Sequence, residues 1–247
     1  MKINTGQGTI PLITLIGIWS VSALTSLPGL AVSPILGELS TIFPHATELD
    51  IQMLTSLPSL LIIPFVLLAG KLAEKRDFIR LLRVGLWLFA ASGVLYLFSS
   101  RMWQLMAVSA LLGIGAGLII PLSTGLISRY FTGEYRVRQF GYSSAITNIT
   151  LVLATTLTGY LAEVNWHLPF LVYLFPFISI FLTCYLKKDL SGYHPKDDVP
   201  ASTVKEMGKR GIDVKALVKL MAFYGLATYL VIIVSFNLPF LMEEYGL

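Results

Sequence analysis

Uncharged polar side chains inside long apolar runs are the residues of this sequence that could contact a bound solute. Their hydroxyl and amide groups can hydrogen-bond a small molecule in a wet cavity. They can instead bond to backbone or to neighbouring helices, which contributes about 0.6 kcal/mol each in a membrane. Asn148 is the best cavity candidate, because an amide needs several hydrogen-bond partners. The full set of candidates is Ser22, Thr25, Gln52, Thr147, Asn148 and Thr155.

Asp, Glu, His, Lys and Arg, which acid–base and metal chemistry most often use, are absent from the deep interior of the first six apolar runs. His45, His167 and His194 lie between runs and are too scattered for a metal site. Cys184 is the single cysteine, and its apolar run favours a small packed side chain. No H-E-x-x-H motif is present either. The sequence therefore predicts a protein that is not an enzyme and that has no cofactor and no metal.

The elements that hold the polar candidates are predicted to be membrane-spanning helices. The chain is 55% hydrophobic and only 13% charged, whereas soluble domains are usually about 25% charged. Seven apolar runs reach the length of about 20 residues that crosses about 30 Å of hydrocarbon. They lie near 10–34, 51–71, 80–99, 104–128, 143–162, 168–186 and 216–241. Their length and continuous apolar character favour helices over barrel strands.

Prolines interrupt the first two predicted spans. Pro28 and Pro34 lie in the first run, and Pro58 and Pro64 lie in the second. Since proline removes a backbone hydrogen bond, we expect these helices to bend or to open locally.

The order of the runs predicts an all-α integral membrane fold in three parts. A six-helix transmembrane bundle (1–186) is followed by a linker (187–215), where prolines and charges of both signs indicate solvated chain. The third part, a seventh transmembrane helix (216–247), repeats a P-x-L-x-E pattern of the first span, with 239–243 matching 34–38. Transporters built from two parallel six-helix repeats have this organisation. We expect the chain to stop one helix into the second repeat.

Basic residues determine the predicted orientation. With the N-terminus inside, the segments 72–79, 129–142 and 187–215 are cytoplasmic, and the segments 35–50, 100–103 and 163–167 are outside. All 18 Lys and Arg residues except Arg101 then lie on or border the cytoplasmic side, as the positive-inside rule requires. We predict a multi-pass protein of the plasma membrane or cell inner membrane. Because the basic residues lie in loops and not on one folded face, nucleic acid is not an expected partner.

The most polar stretch before residue 186 lies between the second and third spans, at 70–83. It resembles the loop signature G-x-L-[A/S]-[D/E]-[R/K] of the major facilitator superfamily, particularly its bacterial drug-and-metabolite proton-coupled branches. Asp77 departs from the signature, which has a glycine there. The matching positions are Gly70, Leu72, Ala73, Glu74 and Lys75, with Arg80 in a later basic position.

Further likeness to the same family lies in the fourth to sixth spans. The glycine-rich stretch 112–118 with Pro121, the segment 130–136, and Gly159-Tyr160-Leu161 before the sixth span are similar to family patterns. Gly113 and Gly117 share one helix face, which indicates close helix packing, or a sliding surface in a conformational change. Ser109 stands where many members have an arginine linked to proton coupling. The fifth span also lacks the exporter pattern G-x-x-x-G-P. Proton coupling through this half and the direction of transport therefore stay open.

The resemblance implies a secondary transporter that moves a small solute by rocking two bundles about a central site. It also implies that the charged loop at 70–83 contacts the second bundle in one state. The expected partners are a small-molecule solute, the lipid bilayer, H+ or Na+ as coupling ion, and the missing second half or a second copy of the chain. The alternative is a non-transporting fragment or scaffold that assembles through helix packing at Gly113.

Overall fold

The computed structural model describes residues 2–6, 8–36, 39 and 42–186, and the short stretches 218–219, 221–223 and 225–226. The chain divides into two compact units, Met1–Tyr193 and His194–Leu247. In the second unit the described residues are helical. The predicted linker and most of the predicted seventh helix lie outside the described residues.

The first unit begins with a hairpin that the sequence analysis did not predict. Strand β1 (Lys2–Asn4) pairs antiparallel with β2 (Thr9–Pro11). The Thr5 backbone N–H donates to the Gly8 carbonyl over 2.9 Å, and Gly6 takes a φ of 89° that favours glycine. Two strands of three residues are too short to leave a periodic signal in the sequence. This hairpin is a small addition to a chain that is otherwise helical.

Helices make up almost all of the remaining described chain. They are α1 (Leu12–Leu24), α2 (Glu48–Lys75), α3 (Phe78–Phe98), α4 (Met102–Tyr130), α5 (Gly133–Val164) and α6 (Pro176–Leu186). Short 3-10 helices lie at Ser33–Ile35 and Leu168–Leu174. Five stretches of the described chain are long and apolar enough to cross a membrane: Leu49–Glu74, Phe78–Phe98, Met102–Tyr130, Gly133–Val164 and Leu168–Leu186. Helix α1, with 13 residues, is shorter.

The predicted first span at 10–34 is not one continuous helix. Helix α1 ends at Leu24, where the Thr25 hydroxyl donates to the Ser22 carbonyl over 2.7 Å. Pro28 has no N–H with which to continue the helix onto the Leu24 carbonyl, and Gly29 adopts a φ of 82°. The chain therefore turns here before the 3-10 helix. The prolines open the first span completely, whereas Pro58 and Pro64 remain inside helix α2.

Two predicted cytoplasmic loops are also shorter than expected. The predicted loop at 72–79 is largely helical, because α2 continues to Lys75 through residues that favour helix. Only Arg76 and Asp77 separate it from α3. Asp77 caps α3, since its Oδ1 accepts hydrogen bonds from the N–H groups of Ile79 and Arg80 over 3.1 and 3.4 Å. The predicted loop at 129–142 reduces to Phe131 and Thr132, because α5 already begins at Gly133.

The core of the first unit surrounds α4. This helix packs along both α2 and α3, while α1 packs against α5 and α6. In the most apolar window of α4, 61% of the residues are buried, but the corresponding share is only 17% for α2 and for α5. The bundle thus has one central helix and two long helices that are mostly exposed.

Candidate functional site

Two of the predicted cavity residues lie inside the bundle as bridges between helices. Ser22 of α1 is buried, and its hydroxyl lies 3.1 Å from the hydroxyl of Ser123 in α4. The Thr147 hydroxyl of α5 donates to its own Ser143 carbonyl over 2.9 Å and lies 3.2 Å from the Ser22 carbonyl. Thr25, half-buried, uses its hydroxyl to end α1. Ser22 and Thr147 therefore join α1, α4 and α5.

The other three predicted cavity residues are exposed. The Asn148 side-chain amide donates to the Ser144 carbonyl one turn earlier over 2.8 Å. The Thr155 hydroxyl donates in the same way to the Leu151 carbonyl over 2.7 Å. Gln52 lies near the start of α2, on the other mostly exposed helix. These side chains stand on the surface of the described bundle, and an uncharged solute or a second protein surface could reach them.

A polar contact between α1 and α5 was missed by the sequence analysis. The Trp19 indole N–H donates to the Gln139 side-chain oxygen over 3.1 Å, and the Trp19 ring meets Tyr142 edge-on at 6.1 Å. Gln139 is buried, although the sequence analysis assigned it to a loop. One signal was available, because Gln139, Ser143 and Thr147 follow each other at helical spacing on one face.

Gly113 and Gly117 of α4 lie directly against α2. A Cβ atom at Gly113 would be 2.7 Å from the Pro58 Cα atom, and a Cβ atom at Gly117 would be 2.7 Å from the Phe65 Cβ atom. Both distances are far below van der Waals contact, so only glycine allows this approach of the two backbones.

Ser109, one turn before Gly113, completes the contact between α4 and α2. It is fully buried, and its hydroxyl donates to the Leu54 carbonyl over 3.1 Å and pairs with the Tyr96 hydroxyl of α3. The Leu54 carbonyl is the one that Pro58 cannot serve within α2, since proline has no N–H. Ser109 therefore donates the hydrogen bond that the Leu54 carbonyl lacks within α2. An arginine at this position would have no room.

At one end of the bundle, hydrogen bonds fix the connection between α4 and α5. Arg136 donates through Nε to the Phe131 carbonyl over 2.7 Å and through Nη2 to the Ser128 carbonyl over 2.9 Å. The Thr132 N–H donates to the Thr5 carbonyl of the hairpin over 3.0 Å. The N-terminal hairpin is therefore attached directly to this short connection.

The charged segment at 70–83 lies at the same end. The Arg129 guanidinium of α4 lies over the Phe78 ring, 4.1 Å from its centroid, and so joins α4 to the start of α3. Arg80 forms an ion pair with Asp77 over 3.2 Å. Among the predicted loop residues, Leu72 and Ala73 are half-buried, whereas Gly70 and Glu74 are exposed. The exposed positions are available to another surface.

At the opposite end, the three segments predicted to lie outside meet. Phe43 packs edge-on against Trp166 with ring centroids 5.7 Å apart, and the His167 Nε2 atom lies 3.2 Å from the Ser99 carbonyl. The segments near residues 43, 99 and 166 thus share one end of the bundle. The structure therefore groups the three segments that the sequence analysis placed on one side of the membrane.

Comparison with known proteins gives a family match and a set of relatives. The sequence model of the Major Facilitator Superfamily matches residues 13–247. The chain is 32% identical over 115 residues to the quinolone resistance protein NorA of Staphylococcus aureus, which is 47% of this chain and 29% of NorA. It is 28% identical over 165 residues to the multidrug transporter protein MdtP of Bacillus subtilis, which is 66% of this chain and 29% of MdtP.

Solved structures share the arrangement of the helices. A crystal structure of a mutant of the peptide transporter POT with sulfate superposes with a TM-score of 0.59 at 17% identity, over 92% of this chain and 45% of the transporter. At this identity the likeness concerns the fold alone. The matched region therefore spans less than a third of the curated relatives and about half of the solved transporter.

Proposed function

We propose, since this chain belongs to the Major Facilitator Superfamily, that it is part of a secondary active transporter that moves a small solute by alternating access. The superfamily consists of transporters and not of enzymes, and the relatives are named for resistance and transport. In alternating access, two bundles rock about a site that both of them line. The first unit would supply one of these bundles.

The observation that carries the proposal is the polarity of the two exposed helices. Gln52 of α2 and Asn148 and Thr155 of α5 are exposed on stretches long enough to cross a membrane. A polar group that lacks hydrogen-bond partners is costly in hydrocarbon, and among the described residues the Asn148 amide makes a single hydrogen bond, to the Ser144 carbonyl. These faces are therefore better suited to a wet cavity or to a second bundle than to lipid. Asn148 and Thr155, seven residues apart, lie on one side of α5.

The conformational parts of the proposal lie on α2 and α4. The exposed positions of the charged segment, among them Gly70 and Glu74, would contact the second bundle in one state. The close contact of Gly113 and Gly117 with α2 would keep α2 and α4 together as one rigid unit. We place the hairpin, the Arg136 end and the N-terminus in the cytoplasm, as the distribution of basic residues predicts.

The names of the relatives indicate which classes of solute to test first. NorA is named for quinolone resistance and MdtP for multidrug transport. We therefore propose a small organic solute, with quinolones as the first class to test and other organic drugs as the second. H+ and Na+ are the coupling ions to impose.

A flux experiment tests the proposal. The purified chain is reconstituted in vesicles at a low and at a high protein-to-lipid ratio, and uptake of each solute is followed under an imposed H+ or Na+ gradient. We expect gradient-driven uptake at the high ratio, where two copies can pair and supply both bundles. We expect no uptake at the low ratio, where single copies have only one complete bundle.

The controls separate the parts of the proposal. An ionophore should abolish the uptake, and protein-free vesicles should not accumulate solute. Uptake at the low ratio would contradict the need for a second bundle but would leave the transport function intact. Crosslinked oligomers without flux of any solute under either gradient would favour the alternative, a non-transporting protein that assembles through helix packing.

A further inference from the structure

A cavity of about 470 Å³ opens at the end of the bundle where the segments near residues 43, 99 and 166 meet. Neither the predicted cavity residues nor the glycines of the contact between α2 and α4 line it. One wall is the segment before α2 together with the first turn of α2, and the other is the first turns of α4. The side chains that give the cavity its chemistry are Phe43, His45, Asp50, Met102, Trp103 and Met106.

The walls of the cavity are held in place by contacts outside it. Phe43 packs against Trp166, and the Phe43 N–H donates to the Leu39 carbonyl over 2.9 Å. On the other wall, the N–H groups of Ser100 and Arg101 donate to the Gln104 side-chain oxygen over 3.1 and 3.2 Å, which fixes the start of α4. The cavity is thus preformed, and its volume lies in the usual range for small-molecule sites, about 300–1,000 Å³.

Asp50 supplies the cavity with a fixed carboxylate. Its Oδ2 atom accepts hydrogen bonds from the N–H and the hydroxyl of Thr47 over 2.9 and 2.8 Å, and its own N–H donates to the Thr47 hydroxyl over 3.2 Å. This capping box restrains the side chain at the start of α2. Only Oδ2 takes part in it, which leaves Oδ1 to a ligand.

The charge around the cavity favours a cation. In the described parts of the segments 35–50, 100–103 and 163–167, Asp50 and Glu163 contribute carboxylates and Arg101 is the single Lys or Arg. An excess of carboxylates at one end of the molecule raises the local concentration of cations there.

The remaining lining selects the kind of cation. A hard metal ion prefers several oxygen ligands, and the described residues contain no group of three or more His, Cys, Asp or Glu that could hold one. Trp103 instead offers an aromatic face, 62% exposed, with the thioethers of Met102 and Met106 beside it. An organic ammonium group interacts favourably with such a face, and sulfur contacts aromatic rings favourably.

We propose that this cavity, lined by Asp50, Trp103, Met102 and Met106, is a binding site for a small aromatic organic cation. The Asp50 carboxylate pairs with the cationic head, the Trp103 ring covers it, and the methionines contact the aromatic part of the ligand. Binding needs neither a gradient nor a second bundle. The site can therefore be tested on the chain alone, whatever the outcome of the flux experiment.

The test is calorimetric titration of the 247-residue chain in lipid nanodiscs with phenyltrimethylammonium, after subtraction of empty nanodiscs. Benzenesulfonate, an anion of similar size, is the matched ligand and should not bind. Asp50→Asn keeps acceptor atoms for Thr47 but removes the charge, so the Kd should rise about tenfold. Trp103→Leu should raise the Kd about fivefold.

Glu163→Gln is the matched control variant, because it removes a carboxylate at the same end of the bundle but outside the cavity lining. Its Kd should rise by no more than about twofold, because a carboxylate that does not line the cavity acts on the ligand only through screening solvent. Equal losses in Asp50→Asn and Glu163→Gln would overturn the site in favour of general surface charge. Equal affinity for benzenesulfonate would overturn it too. Trp103→Leu tests the site independently if Asp50→Asn does not fold, and an unchanged Kd in that variant would also overturn it.

Discussion

Helices α4 and α5 are consecutive and of similar length, but they have opposite surroundings. In the most apolar window of α4, 61% of the residues are buried, against 17% in α5. The polar and small residues at the contacts of α4 each meet a neighbouring helix. On the exposed part of α5, Asn148, Thr155 and Thr156 donate to carbonyls one turn earlier in α5 itself. The polar residues of α4 therefore make contacts between helices, whereas those on the exposed part of α5 form hydrogen bonds within their own helix.

The contact of α4 with α2 replaces a hydrogen bond that Pro58 removes from α2. Pro58 leaves the Leu54 carbonyl without its helical donor, and the Ser109 hydroxyl supplies the missing hydrogen bond. One turn further along α4, Gly113 provides the space that the Pro58 backbone occupies. The exposed polar residues Asn148, Thr155 and Thr156 of α5 bond to carbonyls of their own helix instead. We expect substitutions in α4 to affect stability strongly and substitutions on the exposed face of α5 to affect it little.

The largest effect is expected for Gly113→Ala. The added Cβ atom would lie 2.7 Å from the Cα atom of Pro58, which is backbone and cannot move aside. Overpacking of this kind costs about 1–3 kcal/mol, and each kcal/mol lowers the Tm of a domain of this size by roughly 2–4 °C. Size-exclusion chromatography after heating, with the protein in detergent, measures the change.

Gly159→Ala is the matched control on α5. A Cβ atom at Gly159 meets nothing within 4 Å, and alanine favours helix more than glycine does by about 1 kcal/mol. We expect an unchanged or a slightly higher Tm. A comparable loss of stability in the two variants would remove the distinction between the helices.

Sequence reasoning predicted the existence of the membrane helices better than their ends. Periodicity and length suffice for α2 to α5, since each contains a long apolar run. A local opening of the first span at its prolines was expected, but its full extent was not, because the composition stays apolar through Pro28 and only the backbone of Gly29 makes the turn visible. The start of α5 at Gly133 was missed because its first two turns are polar, a pattern that is equally typical of a loop.

The candidate site was predictable in its residue types but not in their surroundings. Ser22 and Asn148 look equivalent in sequence, each a polar residue in an apolar run. In the structure the first is buried between helices and the second is exposed. Which face a helix turns to its neighbours depends on long-range packing, and no local pattern reports it. The role of Ser109 depends in the same way on a proline 51 positions earlier in the chain.

A smaller effect is expected for Ser109→Ala. The substitution leaves the Leu54 carbonyl and the Tyr96 hydroxyl buried without this partner, and an unsatisfied buried group costs about 1–3 kcal/mol. Packing is otherwise unchanged, so we expect a loss near the lower end of that range. Adding Tyr96→Phe should recover part of the loss, because it removes the second unsatisfied group.

Thr156→Val on α5 is the comparison for this prediction. Its hydroxyl is exposed and donates only to the Val152 carbonyl of its own helix. We expect a change in unfolding free energy within about 0.5 kcal/mol. If Ser109→Ala changes the unfolding free energy as little, Ser109 does not stabilise the protein by satisfying the Leu54 carbonyl, and the proposed role is wrong.

The smallest effect on stability is expected for Asn148→Leu, together with a loss of solute flux wherever flux is observed. The Asn148 amide bonds only within α5 among the described residues, and leucine favours insertion into a membrane. Stability should therefore stay the same or improve. Ile149→Leu, at a neighbouring position that is 59% exposed, is the control and should change neither property.

Chemical labelling tests the surroundings of Asn148 without any transport assay. Successive residues of a helix point about 100° apart, so Asn148 and Ile149 face different surroundings although both are exposed. After replacement of Cys184 by Ser, we introduce Asn148→Cys or Ile149→Cys and follow the reaction with a charged, water-soluble thiol reagent. A wet cavity beside α5 predicts fast reaction at 148 and slow reaction at 149, because the thiolate forms only where water reaches it. Equal and slow reaction at both positions would mean that lipid covers this side of α5, and the cavity interpretation of Asn148 and Thr155 would then be wrong.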